Sequence, residues 1–196
     1  TGYGMPIGGV LFADKAVDAV LIATSTPTHA DLLEQAVAAG KPVLCEKPID
    51  LSLDRVNRAA AKIAGSSVPV MLGFVRRFDP GHRACRTAIK DGSIGDLHQV
   101  VVTSRDPGLA PVGYLKESGG IFRDMTIHDF DMARFLLGEE VATVSATASR
   151  LVDPKLMADL GDYDTLAVTM ATASGKQAVL LNSRRATYGY DQRVEV

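Results

Sequence analysis

The chain has 196 residues, 46% hydrophobic and 22% charged, with 18 Gly, 9 Pro and no Trp, an ordinary globular composition with ample material for a core. At about 150 residues per domain, the length corresponds to one domain and a fraction. Lys+Arg of 21 against Asp+Glu of 23 gives a net charge of -2 with no basic cluster, which argues against a nucleic-acid partner, and no apolar run approaches the roughly 20 residues that cross a bilayer.

Thr1 to Val10 have neither the basic start nor the apolar centre of a secretion signal. Cys45 and Cys85 are too few for a disulfide framework, so a soluble protein of the reducing cytoplasm is expected. Gly2, Tyr3, Gly4, Gly8 and Gly9 lack the G-x-G-x-x-G spacing and the preceding strand that a dinucleotide fingerprint requires.

In chain order, Val17–Ala23, Pro42–Cys45 and Val68–Leu72 are short apolar runs that predict parallel strands buried on both faces. Thr28–Ala39 and Leu53–Ala64 predict the intervening helices, with Thr28 and Ser52 as N-caps and Gly40 and Gly65 as stops. This strand–helix alternation is that of right-handed crossover units, half of a doubly wound sheet. After Pro80 come a helix at Gly81–Lys90, a strand near His98–Arg105, a Gly/Pro-rich loop and a helix from about Asp124 to Leu137. Ala142–Leu151, Tyr163–Ala171 and Gln177–Arg184 then alternate with period two. The predicted fold class is α/β, a partial Rossmann sheet at 1–78 followed by an α+β domain at 79–196 with a mostly antiparallel sheet.

Ligands of open parallel sheets sit at the C-terminal strand ends, so the residues there are the candidates for chemistry. The first strand ends in Thr24-Ser25-Thr26-Pro27-Thr28-His29, a hydroxyl cluster before a helix, which suits ribose or phosphate oxygens or is an ordinary capped turn. The second ends in Cys45-Glu46-Lys47-Pro48. Lys47 there could polarise a substrate oxygen or form a surface ion pair, and the bond to Pro48 is a candidate cis peptide. After the third strand, one of Arg76 and Arg77 is expected at cofactor or substrate and the other in a pair with Asp79.

The strongest local pattern is Asp124-Met-Thr-Ile-His128-Asp129-Phe-Asp131. At 100° per residue Asp124, His128 and Asp131 fall within about 60° of one another on an otherwise apolar helix. The i, i+4 spacing lets Asp124 orient His128 as a general base; the alternative is an N-cap and a satisfied core histidine. A metal site is the weaker reading, since Asp129 points about 100° from His128 and His29, His82 and His98 supply no spaced partner.

Taken in order, the Thr-rich turn, Glu46-Lys47-Pro48, Gly73-Phe74-Val75-Arg76-Arg77-Phe78, Gly119-Gly120, Asp124-x-x-x-His128-Asp129-x-Asp131 and Tyr188-Gly189-Tyr190-Asp191 resemble the glucose-fructose oxidoreductase / inositol dehydrogenase / MocA family. The resemblance implies an NAD- or NADP-dependent oxidoreductase moving hydride between nicotinamide and a secondary alcohol of a polyol or sugar, myo-inositol foremost, and acting as a homo-oligomer. It implies catalytic roles for Lys47, Asp124 and His128, with His128 taking the hydroxyl proton, Asp124 orienting it and Lys47 lowering the alcohol's pKa. It implies cofactor contacts at Thr24, Ser25, Pro27, His29, Glu46, Lys47 and Arg76, and substrate contacts at Lys47, Arg76, Asp106, Asp124, His128 and Tyr190. No metal is implied, nor a membrane. The family's first strand and Gly-rich turn find no match here, so a fragment cut at both ends, poorly soluble and weak in NAD binding by itself, is expected. A cofactor-less binding or scaffolding protein is the alternative.

Overall fold

The computed structural model describes residues 17–196; the glycines at positions 2, 4, 8 and 9 and Tyr3, set aside above as a nucleotide fingerprint, lie outside the described residues. The chain divides into two compact units between Phe74 and Val75. No helix among the described residues is long and apolar enough to cross a membrane.

The first unit runs β1 (Val20–Ile22), a 3-10 turn at Thr26–Thr28, α1 (His29–Ala38), β2 (Val43–Cys45), α2 (Leu53–Ile63) and β3 (Val70–Leu72). Its strands are parallel in the order β1-β2-β3, with Val20 opposite Val43 and Val43 opposite Val70. Two successive crossovers of one hand put both helices on one face, where α1 packs on β1, β2 and α2. Ile22, Leu33, Ala36, Val37, Val43 and Cys45 form the core there. Burial raises the Cys45 thiol to about 11, helped by the neighbouring Glu46 charge.

Burial on both faces is not found. Leu21, Leu44 and Met71, which lie in register across the three strands, remain 67%, 41% and 44% exposed on the face opposite the helices. The caps also differ from expectation at one end. Ser52 does cap α2, accepting from the Arg55 N–H at 3.4 Å, whereas the Thr28 hydroxyl turns back to donate to the Ser25 carbonyl at 2.8 Å and caps nothing. Gly40, at φ 71, stops α1 in the left-handed conformation that a side chain would strain.

The second unit begins with a 3-10 turn at Val75–Phe78, then α3 (Pro80–Lys90), β4 (Gln99–Arg105), α4 (Val112–Glu117), a π-helical turn at Phe122–Thr126 and α5 (Ile127–Leu137). It continues with β5 (Val141–Ser149), α6 (Pro154–Leu160), β6 (Thr165–Thr172), β7 (Gln177–Ser183) and β8 (Asp191–Glu195). The sheet order is β5-β6-β7-β4-β8. All neighbours are antiparallel except β4 and β7, so the sheet is mixed. α5 packs against β4 and β7, and Val100, Val102, Met132, Leu136, Val168 and Leu180 lie in the core between them. The loop before α6 closes around Asp164. Burial opposes the charge of this carboxylate, but the N–H groups of Leu151, Val152 and Asp153 reach it at 2.8, 2.9 and 3.1 Å and hold its pKa low.

Asp79 takes no arginine. It caps α3, accepting from the Gly81 and His82 N–H groups, because a carboxylate before Pro80 is placed for the open amides of the first turn. Both arginines turn instead to α5. Arg77 makes a two-pronged pair with Asp131 at 2.8 and 2.6 Å, stacked 5.2 Å from the Phe135 ring centroid, and Arg76 pairs with Asp129. Asp131 is therefore structural and leaves the polar stripe that the helical wheel assembles. Its side chain is 6% exposed against 39% for Arg77, so removing the cation strands a buried charge. Arg77→Leu should destabilise the chain by about 1–3 kcal/mol, below a fully buried pair because Arg77 is partly solvated, and adding Asp131→Leu should restore most of the loss. Urea unfolding followed by tyrosine fluorescence checks both outcomes.

Candidate active site

In the first unit the candidate residues occupy the C-terminal ends of the parallel strands. Strand pairing continues one step past β2, with Glu46 N–H donating to the Ile22 carbonyl at 2.8 Å and Gly73 N–H to the Cys45 carbonyl at 2.7 Å. This fixes Glu46 and Lys47 beside the end of β1 and lays the Glu46 carboxylate across Gly73. A Cβ at Gly73 would lie 3.0 Å from Glu46 Oε2, so a side chain there would push the carboxylate out of this position. Glu46 and Lys47 are half-buried, and the Lys47–Pro48 peptide is cis.

Thr24 is half-buried while Ser25 and Pro27 are exposed. Thr24 and Thr28 share a hydroxyl–hydroxyl bond of 2.6 Å, and the Ser25 side chain makes no cap bond to the turn that follows it. His29 sits differently from its neighbours. It is 2% exposed, with Nδ1 2.7 Å from the Pro48 carbonyl and Nε2 2.9 Å from the Thr24 carbonyl. Both ring nitrogens are thus turned to the backbone, and the ring pins the loop after β1 to the loop after β2.

In the second unit the parallel β4–β7 pair and the antiparallel β8 bring three residues to one end of the sheet. Arg105 lies opposite both Ser183 and Asp191, so Asp106, Arg184 and Tyr190 each stand one residue beyond that row. Burial raises the Asp106 pKa; Arg184 and Arg76 pull it down while Asp124 and Asp129 push it up. The Tyr190 hydroxyl, which accepts from Gln192 Nε2 at 2.6 Å, is also raised by burial and by Asp106, with Arg76 acting the other way. Arg76, Asp106, Asp124, Asp129, Arg184 and Tyr190 therefore share one electrostatic field.

Asp124 lies in the π-helical turn and not in the regular helix that the 100° spacing assumes. One oxygen accepts from the Tyr114 hydroxyl at 2.5 Å and the other from Arg184 Nη1 at 3.2 Å. His128 follows in the first turn of α5 and is half-buried. Arg76 donates to Ser104 Oγ at 3.1 Å and to Asp129, which also accepts from Ser104 at 2.7 Å and from Asn182 Nδ2 at 2.5 Å. Among the described residues no three His, Cys, Asp or Glu side chains are grouped to hold a metal ion.

Tyr114, Asp129, Asn182 and Arg184 escaped the sequence reading as parts of this site. For Arg184 the signal was available, since Arg184-Arg185 follows an apolar strand just as Arg76-Arg77 does. Tyr114 carried none, because its helix is short and lies in a loop-like stretch.

The open strand ends of the first unit have the donor set that a nucleotide cofactor needs: hydroxyls, a lysine and backbone groups at the C-terminal edge of a parallel sheet. The family comparisons agree. Residues 10–74 match the oxidoreductase family model described as an NAD-binding Rossmann fold, and residues 82–196 match the GFO/IDH/MocA C-terminal domain. The chain is 59% identical over 180 residues to an inositol 2-dehydrogenase of Rhizobium meliloti, covering 92% of this chain and 54% of that protein. The solved myo-inositol dehydrogenase of Corynebacterium glutamicum superposes with a TM-score of 0.88 at 45% identity, over 93% of this chain and 54% of that one. The scyllo-inositol dehydrogenase of Lactobacillus casei, solved with NAD(H) and scyllo-inositol, superposes with a TM-score of 0.83 at 33% identity, over 91% and 54%. The chain thus spans about half the length of the curated relatives it matches. Its two matched segments and the architecture of both units place this chain in the GFO/IDH/MocA oxidoreductase family.

Proposed function

We propose that the chain serves an NAD-dependent dehydrogenase that oxidises a secondary alcohol of a polyol, myo-inositol foremost. The 59% identity to an inositol 2-dehydrogenase across 92% of the chain carries this reading. When bound, the nicotinamide supplies the hydride acceptor. Thr24, Ser25, Pro27, Glu46, Lys47 and Arg76 are the residues proposed to meet the cofactor. His29 holds its loop in place from behind, through the two carbonyls it faces.

In this reading His128 takes the proton from the substrate hydroxyl as hydride leaves the same carbon. Asp124 fixes the imidazole and stabilises its cation, and Lys47 favours the developing alkoxide. Arg76, Asp106 and Tyr190 hold the remaining hydroxyls. A polyol suits Arg76, Asp106 and Tyr190, because neighbouring donors and acceptors satisfy both roles of a hydroxyl. Cytoplasmic placement belongs to the same reading and fits the buried, unpaired Cys45 thiol.

We also propose a homo-oligomer, a dimer or tetramer, assembled through the sheet of the second unit. The face turned away from α5 carries Ser145, Thr147, Ala167, Thr169, Val179 and Leu181, mostly small side chains and none of them fully buried. Sheet faces of this kind pack closely on a second copy. Ala167→Arg should convert the assembly to monomers in light scattering after gel filtration; an unchanged mass would rule out this face.

Two further outcomes test the site, in the protein extended to its relatives' full length. Lys47→Ala should lower kcat for NADH formation about 10²-fold or more while NADH still binds, and a near-normal kcat would exclude the role given to Lys47. Asp106 has a raised pKa, so the folded state binds its proton more tightly than the unfolded one, and the charged group costs stability as pH rises above the ordinary carboxylate range. Asp106→Asn should therefore melt higher than the parent at neutral to alkaline pH, with the gain fading in acid, while KM for the polyol rises.

A further inference from the structure

Arg184 is one of the largest fully buried side chains, at 1% exposure. It is the residue after β7, and it faces Asp124 in the π-helical turn and Asp162 beyond α6. Its Nη1 donates to Asp124 Oδ2 at 3.2 Å, and its Nη2 lies 3.7 Å from Asp162 Oδ2. Asp162 in turn accepts from the Ile121 N–H at 3.0 Å, at the entry of the π-helical turn. Gly120, at φ 84, permits this approach, since a Cβ there would stand 2.8 Å from Asp162 Oδ1. A circuit of Arg184, Asp162, the 120–121 backbone and Asp124 thus holds the turn at its entry and at its middle residue.

The cation is not spent on general packing. Nε and Nη2 of Arg184 have no hydrogen-bond partner among the described residues. A buried guanidinium with idle donors is costly, and such costs concentrate where a site needs a fixed charge. Nη1, the terminal nitrogen that does donate, is aimed at Asp124. π-helical turns likewise concentrate at functional sites, because the extra residue re-aims a side chain.

We propose that Arg184 is a positioning residue of the dehydrogenase: by its bond to Asp124 it holds that carboxylate oriented for His128, with Asp162 anchoring the arginine. This rests on the roles given above to Asp124 and His128. Arg184 acts through Asp124 and need not touch substrate or cofactor.

The test is a double-variant cycle in the protein at its relatives' full length, with NAD and myo-inositol. R184M should lower kcat about 10-fold or more with NADH affinity changed less than about twofold, and R184K, which retains a cation and a donor, should recover most of the loss. In a D124N background R184M should cost less than about twofold, because the group it serves is already gone. Should R184M not fold, R184K carries the test, with a loss of about two- to fivefold in kcat that vanishes in D124N. Multiplicative losses in the double variant, or an R184M enzyme that melts lower but keeps its kcat, overturn the proposal for Arg184 alone. A D124N enzyme with parental kcat instead overturns the role of Asp124, and the Arg184 proposal with it.

Discussion

Asp129 is the constraint on which the second unit turns. It is fully buried at the start of α5 and its charge is met by Arg76, Ser104 and Asn182, from the 75–78 turn, β4 and β7. Four segments distant in sequence are tied at one carboxylate. A buried anion is tolerated only when its oxygens are filled in this way, and breaking any arm leaves the carboxylate short of a partner. The register of β4 on β7 and the placement of Arg76 are consequences of that demand.

The site is built outward from this point by alternation of charge. Arg76 and Arg184 stand among Asp106, Asp124, Asp129 and Asp162, and each carboxylate has a different environment. Asp129 is saturated with donors, and Asp162 is divided between a backbone amide and Arg184. Asp124 is held at both oxygens by Tyr114 and Arg184. Asp106, dominated by burial, stands apart from them. One sheet end thereby offers carboxyl groups of different character.

The first unit works by backbone geometry. Strand pairing extended past β2, the glycine at 73 and the ring of His29 bring the loops after β1, β2 and β3 together at the C-terminal edge. His29 shows the limit of reading such loops from residue types. A histidine in a hydroxyl-rich turn suggests contact with a ligand, yet both ring nitrogens face carbonyls of the protein. Its place is under the loop.

The sequence by itself determined most element types and their order, because apolar runs of strand length, Gly stops and period-two alternation are local signals of burial and turn geometry; the short helices α4 and α6 carry too little periodicity to show. It also marked Lys47, Asp124 and His128 through motif order, and the family followed from that order. Tertiary structure alone decided the partners of the charges. The choice of Asp129 and Asp131 for Arg76 and Arg77 and the circuit through Arg184 depend on contacts across 41 to 60 positions of chain. The physical reason is desolvation: which carboxylate an arginine takes is set by which is buried beside it, and burial of that kind exists only once the sheet and α5 have closed.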